Sequence, residues 1–449
     1  MSSAIEKLTS LVNDQNKYNI PYAEIKATQI EAVNECFQGR KEKIKLLAKR
    51  ANDAGLTEIR SLEDMVHVLF PHTAYKSYPE SFLLGEKWDK LGKWLGTVSS
   101  MPIPEIDPAT VTDIDDWIDK LQQHGIFVSC SSGTTGKSAM LVASAKDMKW
   151  CKVETVAAYA WGSGVTPAND RRIFGLAPVA SVARNRVTGG AYIDALQAPG
   201  SEPFNYPAPP MTVGGLTKMV VLRKKIADGT ATPSDLQDYE KTSAERQKHL
   251  DDALEISAGA IIGARHEKLH VSGMWASLYN IARLVRDKGY SGRDFNPENS
   301  CYVGGGLKGA QLPENYREFV YETFNIAPQR NYQNYSMQEL MSAMPRCQKG
   351  QRYHLPPWVV PLILDKSGDK LLPILDSEYE GRAAFFDLSL DGRWGGVISG
   401  DKVSIDFSPC PCGAKSPSIR DNIARFSDLE GDDKIGCAGT VDAYVRGVS

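Results

Sequence analysis

Residues 129–138 read Ser-Cys-Ser-Ser-Gly-Thr-Thr-Gly-Lys-Ser, a run built to lie against an anion. Gly133 and Gly136 let the backbone approach a ligand closely, and Ser131, Ser132, Thr134 and Thr135 supply hydroxyl donors. Lys137 adds a positive charge, so phosphate is the ligand this loop suits. The Walker A loop is the obvious rival, but it requires glycine where this chain has Ser131. Taken alone, the run also fits a Gly/Ser-rich surface turn.

The segments around the loop set its context. From the start to about Leu95 the pattern is mainly helical, as in Ile30–Phe37 and the charged Arg40–Arg50 segment. Ser61 followed by Asp64 has the spacing of a helix start, and Pro-rich Met101–Glu105 reads as a linker. Beyond the loop, Ile173–Ala177 and Trp358–Leu364 are candidate strands among helical stretches, which favours an α/β fold. Between Gly200 and Gly259 the chain turns first Pro-rich and then strongly charged, with Thr232-Pro233-Ser234-Asp235 as a helix start. This is expected to be a helical insertion with a solvated charged face. The organisation expected is an N-terminal helical region (1–100), a main domain (101–438) carrying the insertion (200–259), and a short end (439–449).

Composition bounds the class. A chain of 449 residues with 42% apolar and 24% charged residues is ordinary globular protein with room for a large core. Its net charge of -3 gives no electrostatic case for nucleic acid or an anionic membrane as a partner. The N-terminus lacks a signal core, and no apolar stretch reaches the roughly 18 residues of a membrane span, so a soluble cytoplasmic enzyme is the expectation. Eight cysteines are too sparse for a disulfide scaffold, and their spacing points elsewhere. Cys347, His354, Cys410 and Cys412 supply three thiolates and an imidazole, the donor set of a closed, structural zinc site. Unrelated thiols and a surface histidine are the plainer alternative.

Three later segments, in order, join the loop in a recognisable set. Cys301-Tyr302-Val303-Gly304-Gly305-Gly306 looks like a strand entering a glycine turn, Asn334-Tyr335-Ser336-Met337-Gln338-Glu339 carries an aromatic residue ahead of an acid, and Ser399-Gly400-Asp401 ends on an acceptor-only carboxylate. Together with Ser-Ser-Gly-Thr-Thr-Gly, these resemble the motifs of the adenylate-forming superfamily, which activates carboxylic acids as acyl-AMP. The Cys-x-Cys-Gly element with an upstream cysteine and histidine is similar to its phenylacetate-CoA ligase-like branch, and Phe70–Ser77 and Lys93–Leu95 to its acyl-protein synthetase group.

That resemblance implies an α/β adenylation domain in which ATP, magnesium and, for the second step, CoA are used. Thr134, Thr135, Lys137, Gln338 and Glu339 would act on the phosphates, with Glu339 holding magnesium. Ser131, Ser132, Gly133 and Gly136 would cradle phosphate, and Gly304, Gly305, Gly306, Tyr335 and Ser336 would lie against adenine. Asp401 would accept from the ribose hydroxyls, with Arg425 also at the nucleotide. Ser336 and Gln338 depart from the glycine and threonine usual in the family. The substrate expected is a small carboxylic acid, aryl, arylacetic or fatty, with Ala177–Val182 and Val271–Trp275 as candidate pocket segments that equally suit plain core. An acyl-acceptor protein and a homodimer are further partners the reading admits. Val445-Arg446-Gly447 resembles the family's hinge, and with two residues following it the usual C-terminal cap is expected to be absent from this sequence, either naturally or by removal, while Cys437 reads as an ordinary cysteine rather than an acyl carrier. A zinc-stabilised binding module that keeps the fold without catalysis is the competing class.

Overall fold

Helix starts follow the local chemistry of the chain. Ser61 Oγ accepts from the Asp64 N–H at 3.2 Å while the Asp64 carboxylate takes the Ser61 N–H at 3.0 Å, opening helix Leu62–Val68. Thr232 and Asp235 do the same for helix Pro233–Gly263, whose first residue is proline. The computed structural model describes residues 2–130, 137–209, 211–304, 307, 310–373 and 378–430. The loop residues Ser131, Ser132, Gly133, Thr134, Thr135 and Gly136, the turn residues Gly305 and Gly306, Cys437 and the hinge-like end all lie outside these.

The chain forms two units, one from Met1–Glu154 with Tyr335–Ser449 and the other from Thr155–Asn334. In the first, helices including Tyr22–Arg40, Lys45–Asp53, Trp88–Val98 and Ile114–Gln123 accompany strands β1 (Phe70–Pro71), β2 (Phe127–Cys130) and β3 (Met140–Ala143). Strands β2 and β3 pair antiparallel, with Cys130 opposite Met140, and so bracket the hydroxyl-rich run.

The second unit is a parallel sheet in the order β4 (Arg172–Gly175), β5 (Leu269–Gly273), β6 (Asn299–Val303) and β7 (Ile326–Tyr332). Because successive side chains alternate between faces, each strand feeds two layers. Phe174, Leu269, Val271, Cys301 and Val303 join the core built with helices Pro233–Gly263, Trp275–Asp287 and Tyr316–Phe324, whereas Ile173 and Tyr332 meet Tyr159, Tyr192 and Leu196 in a second cluster. Val271 and Trp275 are thus core residues. The long helix runs on to Gly263, and its last turns bury Ala258 and Ile261, while the stretch from Lys241 to His249 is exposed throughout.

After β8 (Asn334–Tyr335) the chain supplies the first unit with β9 (Met344–Pro345), β10 (Tyr353–His354), β11 (Val359–Leu364), β12 (Glu378–Asp387), β13 (Gly396–Asp406), β14 (Ser418–Ile419) and β15 (Ala424–Arg425). Seven strands form its main sheet among the described residues, ordered β10-β14-β13-β12-β11 with β1 and β15 also on β13. Arg382 pairs with Lys402 and Ala384 with Ile398, so Ala383 alone faces Ser399–Asp401. This bulge takes Asp401 out of register with β12, while it stays paired with Arg425 of β15.

One buried group of the second unit makes a clear pH prediction. His270 is fully buried, with Nδ1 at 3.3 Å from Tyr159 Oη and 3.2 Å from Ser300 Oγ, and its ring stacks on Tyr192. Burial, helped by the Arg171 charge, pushes its pKa down from 6.5 to about 3. The unfolded chain binds that proton below its ordinary value and the folded chain does not, so stability falls as pH drops from 6.5 toward about 3. The slope is at most about 1.4 kcal/mol per pH unit. Denaturant titrations of His270→Gln across this window should show a flatter decline than those of the parent chain.

Candidate functional site

The bulge of β13 places three of the expected nucleotide residues together. Tyr335 donates its hydroxyl to Asp401 Oδ2 at 2.6 Å, and Arg425, opposite Asp401 in the β13–β15 register, sets Nε 3.6 Å from Oδ1. The Asp401 N–H is itself held by Ser399 Oγ at 3.1 Å, and the Ser399 carbonyl accepts from the buried Arg382 guanidinium at 3.0 Å. Tyr335 is 9% exposed, its ring set between Tyr353 and Phe385 at centroid distances of 6.2 and 6.1 Å. Burial first, and then the neighbouring Asp401 carboxylate, keep its phenol protonated far above the ordinary value. Tyr335 is therefore a fixed donor and Asp401 a carboxylate with lone pairs to spare.

Glu339 and Gln338 follow Tyr335 on a segment whose backbone is gripped from three sides. Arg393, 1% exposed, donates to the Gln338 and Glu339 carbonyls at 3.0 Å each and to the Val142 carbonyl of β3 at 2.7 Å. Asp387 accepts the Met341 and Ser342 N–H groups at 2.8 Å, and Glu154 accepts from Ala343 N at 3.0 Å. A parallel contact fixes the start of the helix after β3. There Asp147 accepts from Ser144, Asp391 and Gly392 N–H groups, and a side chain at Gly392 would lie 2.7 Å from Ser144 N. Asp147 has the local spacing of a helix start with Ser144, whereas Arg393, Asp387 and Glu154 sit in no motif, and their distance in the chain from these partners hides them.

Around these groups the cations are arranged unevenly. Lys137 is turned onto Tyr78, its Nζ donating to the Tyr78 carbonyl at 2.8 Å, while the Tyr78 hydroxyl holds the Ser138 carbonyl at 2.8 Å. Lys76, on the turn that follows β1, is a cation that motif reading missed. Burial pulls its pKa below that of an ordinary lysine, with the Glu339 charge opposing and the Arg425 charge adding to this. Ser336 is exposed beside Tyr335. Gly304 lies in the second unit at the end of β6, its N–H bonded to the Gly273 carbonyl at 3.0 Å.

The thiol and imidazole residues converge as their chemistry predicts. The ligand atoms of Cys347, His354, Cys410 and Cys412 all lie within 4.8 Å of one another. Two tight turns deliver them. In one, Cys347 N–H reaches the Arg352 carbonyl and Gln351 takes a positive φ of 53°, and in the other Cys410 N–H reaches the Ala414 carbonyl with Gly413 at φ 99°. Gly350 is required beside them, because a Cβ there would come within 2.3 Å of Cys410 Sγ and 3.2 Å of Cys347 Sγ. His354 Nδ1 is 3.1 Å from Ser416 Oγ, leaving Nε2 facing Cys412 Sγ at 3.5 Å. Burial opposes thiolate formation at Cys347, yet hydrogen bonds from His354 and the Arg352 backbone bring its pKa down to about 6. Three sulfurs and one oriented imidazole match tetrahedral zinc in number and kind.

The sequence matches no protein-family model and no curated protein. Among solved structures it is similar to 2-hydroxyisobutyryl-CoA ligase in an open conformation with 2-HIB-AMP and CoA, at TM-score 0.58 and 14% identity over 92% of this chain and 77% of that one. The same ligase in its thioesterification state gives TM-score 0.56 and 16% identity over 92% and 70% of the two chains. The fold is that of the adenylate-forming enzymes. Within it, the bulged strand with Asp401 and the gripped segment with Glu339 are elements of this chain's own first unit. None of its described helices is long and apolar enough to cross a membrane.

The grip on the Glu339 segment is testable through stability. Arg393→Met removes the donor from three carbonyls, two of them beside Glu339. Unfolding in urea should lose about 3 kcal/mol, seen as a lower midpoint at unchanged slope. Arg425→Ala, at a side chain 65% exposed, should stay within about 0.5 kcal/mol of the parent chain.

Proposed function

We propose that the protein activates a carboxylic acid, aryl, arylacetic or fatty, as its acyl-adenylate and passes the acyl group to CoA. The observation that carries this reading is the Tyr335–Asp401–Arg425 constellation on the β13 bulge of an adenylate-forming fold. Asp401 offers the acceptors that two ribose hydroxyls need, and Tyr335 holds that carboxylate in place. A substrate carboxylate oxygen attacks the α-phosphorus and pyrophosphate leaves with the electrons of the broken P–O bond. The acid is already ionised at neutral pH and needs no general base, so the chain's part is to position two anions and offset their charge. Lys76 and Lys137 are cations of the first unit suited to that work, and the hydroxyls of 131–136 are donors for the phosphates. Glu339 would hold magnesium, which when bound supplies charge neutralisation at phosphate oxygens.

Substrate-dependent exchange of labelled pyrophosphate into ATP tests the reaction across a panel of aryl and fatty acids. Exchange with at least one acid is expected, and Glu339→Ala should reduce it by at least about a hundredfold, the size of losing one main electrostatic contact. Asp401→Ala should weaken AMP binding measured by calorimetry by about tenfold or more. Mass analysis with and without CoA then separates acyl-CoA from an acyl-protein or free acyl-AMP. Ser336 and Gln338, in place of the family's glycine and threonine, favour one second reading, a binding module without turnover, and exchange with no acid in the panel selects it.

Cys347, His354, Cys410 and Cys412 would hold zinc in a structural role, with all four positions of the ion taken by protein. Elemental analysis should find about one zinc per chain, and Cys410→Ser should lose it together with several kcal/mol of stability. Retention of zinc in that variant would remove Cys410 from the ligand set.

A further inference from the structure

We infer that the Cys/His knuckle and the nucleotide site form one mechanical unit, joined by Asp421. This rests on the nucleotide reading of Tyr335 and Asp401 given above. Two of the four knuckle residues are directly preceded by residues that seize the same carboxylate. Arg346, ahead of Cys347, donates Nη2 to Asp421 Oδ2 at 2.6 Å, and Tyr353, ahead of His354, donates its hydroxyl to Asp421 Oδ1 at 3.0 Å. Arg346 and Tyr353 also face each other across an antiparallel bridge, so the turn between them opens or closes as a piece.

From that clamp the path to the nucleotide residues is short in two directions. The Tyr353 ring lies 6.2 Å from the Tyr335 ring, tilted at 56°, and Tyr335 donates to Asp401. Asp421 itself stands just ahead of β15, whose Arg425 pairs with Asp401. A second carboxylate is held by the residues just before Tyr353 and Asp421. Arg352 and Arg420 both donate to Asp406, at 2.7 and 3.1 Å, and Asp406 ends β13, the strand of Asp401. An exposed ion pair alone contributes little to stability. Here the two carboxylates act by geometry, since Asp421 ties the residues directly ahead of two knuckle ligands to the approach of β15, and Asp406 ties Arg352, two positions ahead of His354, to the end of β13.

Tyr353 and Asp421 are therefore positioning residues, and the consequence is thermodynamic linkage. If the metal holds the knuckle in the shape that the nucleotide site requires, AMP must tighten zinc by the same factor as zinc tightens AMP. The measurement uses the zinc-loaded chain. Zinc affinity is read by competition with a chromogenic chelator, with and without saturating AMP, and AMP affinity is read separately by calorimetry. AMP should raise zinc affinity about tenfold, within the usual span of such couplings. In Asp421→Ala and Tyr353→Phe the coupling should fall below about twofold while both chains keep zinc and the circular dichroism of the parent. A merely structural role for either side chain would change stability and leave the coupling factor alone. AMP binding with no change in zinc affinity overturns the linkage and leaves the nucleotide reading standing, as does full coupling in Asp421→Ala. Failure of the parent chain to bind AMP, or to hold zinc, overturns this inference together with the reading beneath it.

Discussion

Strand β13 is the constraint on which the first unit depends. It pairs with β12 along one edge, while on the other edge its partner changes along its length, from β1 at Val397 and Ile398 to β15 at Asp401 and Lys402 and to β14 at Ile405 and Asp406. The register with β12 breaks at Ser399–Asp401. The bulge thus falls where the neighbour on the other edge changes from β1 to β15. It leaves the Asp401 side chain only partly covered, next to the tyrosine and arginine that contact it, and Arg382 closes the loop by holding the Ser399 carbonyl.

The same topology accounts for the cations. Because β1 lies against β13 immediately before the bulge, the turn His72–Lys76 that follows β1 carries Lys76 to where it senses both Glu339 and Arg425. Burial lowers the affinity of Lys76 for its proton, yet the Glu339 charge works against this, so the ammonium is partly desolvated and still has a nearby counter-charge. A cation in that condition interacts more strongly with an arriving phosphate than a solvated one would, because less water has to be displaced.

Most of what was legible in the sequence was local. The caps at Ser61 and Thr232, the strands at Ile173, Cys301 and Val359, and the Cys/His set all follow from spacing within a few residues or from donor chemistry alone. Tyr335 and Asp401 were found through the resemblance of their motifs, and the structure brings them within a hydrogen bond of each other. What spacing could not reveal is the support beneath them. Arg393 reaches Val142 across 251 positions and Glu339 across 54, and Asp147 reaches Gly392 across 245. An arginine or aspartate outside any motif reads as surface charge, and only tertiary pairing turns it into a buried donor or acceptor. The bulge was equally hidden, since a two-against-four register depends on which strands become neighbours.

The buried polar groups also explain why the site can be stiff without being apolar. Two carbonyls and three N–H groups around Glu339 are met by charged side chains, Arg393 for the carbonyls and Asp387 and Glu154 for the N–H groups. Such bonds are stronger than neutral ones, and removing the charged side chain leaves buried backbone groups unsatisfied where water is scarce. The segment therefore has few alternative positions at low cost. In the proposed magnesium role the Glu339 carboxylate would gain from that restriction, because a site already arranged spends little reorganisation when charge arrives. The knuckle extends the same logic to the far side of Asp401. There Asp421, held by Arg346 and Tyr353, and Asp406, held by Arg352, support the segments that carry Cys347 and His354.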